Sequence, residues 1–136
     1  MIEAFKTIAV ITSLLFTSIL LSQEKKRDTL FFKYDKNYLI TSKVSKDSYL
    51  IKDGYYNKGG LFFFDKKQDH YNLQPEKVLK FKKFIRSSKL FYNKKKTRKL
   101  NNRKLLNYLT DYVVIFVTKE DAKIKFIEMN TGIEIE

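Results

Sequence analysis

The sequence predicts an α+β fold: a largely antiparallel sheet, built from an N-terminal strand meander and C-terminal strands, with two central helices packed on one face, after an N-terminal signal peptide. Three observations predict it. An uncharged apolar run at residues 8–21 ends in a charged boundary. Short aromatic and β-branched segments separated by turn residues occupy 29–64. The hydrophobic period becomes helical at Pro75 and strand-like again at Val113.

The N-terminal run decides what counts as fold. Lys6 gives a short basic start, partly offset by Glu3, and residues 8–21 are all apolar or small hydroxyl. That is the length of an export-signal core and falls short of the roughly 20 residues that cross a bilayer. Charge resumes at Glu24-Lys25-Lys26-Arg27. Cleavage is expected after Ser22 or Gln23, making 1–22 the signal peptide and 23–136 a single domain, although Leu20 departs from the small-residue rule before a cleavage site. The alternative is an uncleaved anchor reaching back through Ala4 and Phe5. With no cysteine anywhere, a lipid-anchored cysteine, a disulfide and a thiolate metal site are all excluded. Nineteen of the 21 Phe and Tyr residues follow the signal, which supplies enough apolar surface for one core.

Residues 29–34, 38–41 and 48–52 read as strands, the first two split by Asp35-Lys36-Asn37. Asp53-Gly54 is a turn dipeptide, and 57–60 marks another turn before a strand at 61–64. Pro75 suits a first helical turn, and Val78, Phe81, Phe84 and Ile85 then share one helical face. Lys80, Lys82, Lys83 and Arg86 take the other face, where Leu79 is out of place. A second helix is expected from Asn101 or Asn102, either of which can cap it, through Leu105, Leu106 and Leu109 to about Asp111. The continuous apolar run 113–117 predicts a central strand buried on both faces. A turn at 119–121 and strands at 123–127 and 133–136 complete the chain.

Charge is the unusual feature. Residues 66–104 hold 15 of the 28 basic side chains but only two of the 15 acidic ones, so the whole net charge of +13 lies there and the remainder is neutral. The anion-facing residues expected from this basic helical segment are Lys80, Lys83, Arg86, Lys94, Lys95, Lys96, Arg98, Lys99, Arg103 and Lys104. Lysine outnumbers arginine 24 to 4, which favours diffuse attraction over the bidentate readout arginine provides. Three readings compete: a solvated face, an anionic surface such as lipid head groups or an acidic protein, and nucleic acid with Phe91 and Tyr92 as stacking groups. The export signal disfavours nucleic acid.

Candidates for catalysis are few. His70, the only histidine, has no Ser or Cys beside it and reads as a surface loop residue ahead of a helix. Asp111, then Asp121-Ala122-Lys123 across an apolar strand, has the outline of a metal-dependent nuclease, but a chain this rich in lysine produces that match readily by chance. The expectation is therefore a non-enzymatic exported binding or scaffolding protein of the bacterial cell envelope, periplasmic or secreted. The Gram-negative periplasm is the first choice. Its basic surface would face an anionic envelope surface, polyanion or acidic protein, with no cofactor and no metal. The alternative is a secreted metal-dependent hydrolase or nuclease acting on an anionic polymer.

Overall fold

The computed structural model describes residues 27–43, 45–54, 60–93 and 99–134; the expected signal peptide lies outside them. About half of this is strand and under a fifth helix. One seven-stranded sheet runs β2 (Leu39–Thr41), β3 (Ser48–Ile51), β4 (Leu61–His70), β9 (Lys123–Glu134), β8 (Tyr112–Glu120), β1 (Asp28–Lys33), β5 (Leu79–Lys80). A separate antiparallel ribbon joins β6 (Tyr92–Asn93) to β7 (Lys99–Leu100). The helices are α1 (Phe81–Ser87) and α2 (Asn102–Leu109).

This corrects the expected fold class. The sheet is mixed and curled into a half-barrel, not a largely antiparallel sheet carrying two helices on a face. The reason lies in β1. It makes no hairpin with β2, which pairs instead with β3 at the other end of the sheet. It inserts between β8 and β5 and is parallel to both. Leu30 and Phe32 point to the core and Phe31 to the opposite face, and a strand apolar on both sides belongs in a sheet interior. Phe31 meets Phe126 edge-on at 6.2 Å on that opposite face.

Pairing with β1 also shortens the first helix. Leu79 and Lys80 lie in register with Phe32 and Lys33, so the backbone stays extended where helical periodicity alone predicts a helix from Pro75. Leu79, out of place on a helical wheel, is thereby packed against the core, and Val78 is left 42% exposed. From Phe81 the chain coils and places Phe81 and Ile85 inside. Phe32 lies 5.0 Å from the rings of both Phe81 and Phe84 and 5.7 Å from Phe116, while Phe64 packs edge-on against Phe81 and Phe116. These rings are the centre of the core.

At the second helix Asn101 and Asn102 divide two tasks. The Asn101 side chain accepts a hydrogen bond from the Lys104 amide at 3.1 Å and caps α2. Asn102 is buried and donates from Nδ2 to the carbonyls of Gly54 (3.1 Å) and Gly60 (2.8 Å), tying the helix to both of these glycines. The C-terminal strands expected at 123–127 and 133–136 are one twelve-residue strand, because β9 has a hydrogen-bonded neighbour on each side. β4 is likewise longer than expected, with an irregularity between Lys66 and Gln68. No helix among the described residues is long and apolar enough to cross a membrane.

Asn102→Ala should cost about 1–3 kcal/mol, since it strips the partner from two backbone carbonyls. Asn101→Ala should cost about 1 kcal/mol as a lost cap. Urea melts of the two variants check the division; equal or reversed losses would show that Asn102 is not the structural tie.

Candidate functional site

Beyond the C-terminal end of β1 the chain turns through Tyr34-Asp35-Lys36-Asn37, and across from it β5 passes into α1. Between them lies a groove of about 820 Å³. Lys33, Lys36, Lys80, Lys82 and Lys83 line it, with Tyr34 and Phe81 among its apolar walls. All five lysines are exposed. Its one carboxylate, Asp35, is partly occupied in its own turn, accepting from the Asn37 amide at 2.9 Å.

Positive charge is in excess in this groove: five lysines face one described carboxylate, Asp35. Lys33 and Lys80 are direct register partners in a parallel pair. Their backbones are therefore about 4.8 Å apart and their side chains leave the same face. Like charges placed opposite one another destabilise a strand pair. Lys82 and Lys83 stand in the first turn of α1, which has no acidic residue there, and so add to the positive end of the helix. None of the five lysines forms an ion pair with a described residue.

Arg86 also borders the groove but serves a different purpose. Its guanidinium donates two hydrogen bonds to Asp53, from Nε at 2.9 Å and from a terminal nitrogen at 3.2 Å. The buried Tyr38 hydroxyl donates to the same carboxylate at 2.8 Å. Burial would raise the Asp53 carboxyl, but the hydrogen bonds from Arg86 and Tyr38, helped by the charges of Arg86 and Lys82, hold it below the usual carboxylate range. Burial and the bond to Asp53 push the Tyr38 phenol well above its ordinary value. The guanidinium also lies 5.9 Å from the ring centres of Tyr38 and Tyr92. Arg86, expected as an anion-facing residue, borders the groove with its charge engaged by Asp53, and so joins α1 to the turn after β3.

Of the other expected residues, Lys80 and Lys83 come together in the groove. Arg103 and Lys104 are exposed on α2 and do not line it. Lys94, Lys95, Lys96 and Arg98 lie outside the described residues, as does the side chain of Lys99 in β7. Phe91 and Tyr92 are buried in the core, so they offer no stacking surface to nucleic acid. Lys33 and Lys36 were missed because they belong to the charge-neutral half of the sequence; only the pairing of β1 with β5 brings them beside Lys80.

His70 is not a loop residue. It ends β4, and its Nε2 lies 2.8 Å from Glu128 on β9. Glu128 also pairs with Lys67 at 3.2 Å, while Asp69 pairs with Lys66 at 2.9 Å and Lys125 at 3.4 Å. Burial opposes ionisation of both carboxyls, but these partners outweigh it and lower both. Asp111 and Asp121 flank opposite ends of nine-residue β8, about 30 Å apart. Asp121 and Ala122, both at positive φ (50° and 64°), form the tight turn into β9. The Asp111, Asp121 and Lys123 pattern therefore does not assemble, and no group of three His, Cys, Asp or Glu residues is placed to hold a metal ion among the described residues.

Comparison of the chain with protein-family models, curated proteins and solved structures finds no match. Its function must be argued from the groove itself.

Asp53, Asp69 and Glu128 have lowered folded values, so each contributes stability that is complete above its unfolded value and lost as pH falls through the folded one. Stability should accordingly fall most steeply below about pH 4. Asp53→Asn should lower stability at neutral pH and flatten part of the acid slope. Denaturant melts at neutral pH and near pH 3 measure both; an unchanged slope would show that Asp53 is not held by Arg86 in solution. In the opposite sense, Lys80→Gln relieves the repulsion with Lys33 and should raise stability by about 0.2–1 kcal/mol. A loss in the same melts would mean that the two ammonium groups do not oppose each other.

Proposed function

We propose that this chain is a small exported binding protein of the bacterial cell envelope, periplasmic or secreted, whose lysine-lined groove holds an anionic partner. The observation that carries the reading is the contrast between two sets of basic residues. Lys66, Lys67, Lys125 and Arg86 each have a carboxylate within 3.4 Å. Lys33, Lys36, Lys80 and Lys83 form no ion pair with a described residue, and the groove they line holds a single described carboxylate, Asp35. Unneutralised like charges are costly in the free protein, and an anion in the groove removes that cost. The apolar run at 8–21 supports export as a separate sequence argument. The excess of lysine over arginine supports attraction to a charged surface over sequence-specific readout.

The test is co-sedimentation with anionic vesicles across a salt series, comparing the protein with a variant carrying Gln at Lys33, Lys36, Lys80 and Lys83. Basic residues near an anionic surface contribute up to about 1 kcal/mol each, so the fourfold variant should bind on the order of tenfold to a hundredfold more weakly. Binding of the unaltered protein should fall steeply with salt. Substituting Lys46 and Lys104, exposed lysines outside the groove, should have little effect. Circular dichroism confirms that the variants fold. Absence of vesicle binding at low salt, or equal binding by the fourfold variant, overturns the reading.

A further inference from the structure

The lysines of the groove are not equivalent. Lys33 and Lys80 are fixed by the backbone as register partners of a parallel pair, whereas Lys36 comes from a turn and Lys82 and Lys83 from a helix. We propose, building on the anion-binding reading above, that Lys33 and Lys80 form a two-ammonium clamp for a single phosphomonoester.

Two long side chains leaving the same face about 4.8 Å apart can both reach one tetrahedral group between them. A carboxylate or a phosphodiester brings one negative charge and leaves one ammonium uncompensated. A phosphomonoester carries about −1.5 to −2 at neutral pH on three terminal oxygens, which matches two ammonium groups. Lysine suits this task because each ammonium is a compact charge with three donors and imposes no planar geometry. The remaining parts of the groove fit the group that bears the phosphate. Tyr34, half-buried, is among the lining residues. Lys36, Lys82 and Lys83 extend the positive field around it. Among the described residues β5 is the edge strand of the sheet, with no further strand beyond it. The clamp therefore lies at the margin of the sheet, where a phosphate can reach it whether it is borne by a lipid head group or by a small soluble molecule.

The experiment compares phosphatidylcholine vesicles containing phosphatidic acid, a monoester, with vesicles containing phosphatidylglycerol, a diester, matched in surface charge. Glycerol 3-phosphate is titrated in parallel by calorimetry. The clamp predicts preference for phosphatidic acid near neutral pH, shrinking as pH drops through about 6, where the monoester dianion takes up a proton and keeps a single charge. Lys33→Gln and Lys80→Gln should each weaken phosphatidic acid binding by about fivefold. The double variant should lose little more, because one ammonium alone cannot clamp, and Lys36→Gln should lose distinctly less. Preference together with glycerol 3-phosphate binding supports the clamp with a soluble source; preference without it supports the clamp with a lipid source. Equal binding of the two charge-matched lipids, or a Lys36→Gln loss as large as the other two, overturns the clamp while leaving the groove reading intact. Absence of binding to either vesicle overturns both.

Discussion

The insertion of β1 between β8 and β5 is the constraint on which the rest of the structure depends. It places Phe32 fully out of solvent among Phe81, Phe84 and Phe116. A buried phenylalanine with three aromatic neighbours is typically worth about 3–5 kcal/mol against alanine, a large part of the stability of a small domain. The same pairing keeps Leu79 and Lys80 extended and sets the point where α1 can begin. It also brings Lys33 and Lys80 side by side, immediately before the turn that forms the other wall of the groove. Core and groove are two consequences of one strand pairing: position 32 faces the aromatic cluster, and position 33 carries the charge.

Charge in this protein is divided by whether the fold supplies a counter-ion. Asp53 neutralises Arg86, and in doing so joins α1 to the turn after β3. Glu128 neutralises Lys67 and is hydrogen-bonded to His70, and Asp69 neutralises Lys66 and Lys125, all on the β4 and β9 ladder. These networks hold the sheet together and explain why the only histidine is a structural partner. Among the described residues the groove lysines form no ion pair, although carboxylates are present elsewhere in the chain. A purely solubilising face would be expected to scatter its charges, because separation lowers their repulsion. Here they are concentrated, and two are set in register.

Much of the local structure was legible in the sequence. The aromatic strands at 29–34, 38–41 and 48–52, the central strand after Asp111, and the choice of Asn101 or Asn102 at the head of α2 follow from nearest-neighbour chemistry. What depended on distant pairing was not. Nothing local shows that β1 is parallel to β8, more than 80 positions away, so the expected antiparallel sheet was wrong. Nothing local shows that Leu79 pairs with Phe32, so periodicity alone predicts too long a first helix. Arg86 looked free because Asp53, its partner, lies 33 residues earlier. Lys33 and Lys36 looked ordinary because their own half of the sequence is neutral. The one local sign is Leu79 itself, an apolar residue stranded on the basic side of a helical wheel.

The most direct test of the account is a lysine footprint. The protein is acylated briefly, alone and with saturating phosphatidic acid vesicles, and the modified positions are read by peptide mass spectrometry. If the groove is the anion site, Lys33 and Lys80 will be the most strongly protected positions, with Lys36 and Lys83 next and Lys46 and Lys104 unchanged. Uniform protection of all exposed lysines, or protection that bypasses Lys33 and Lys80, would contradict it.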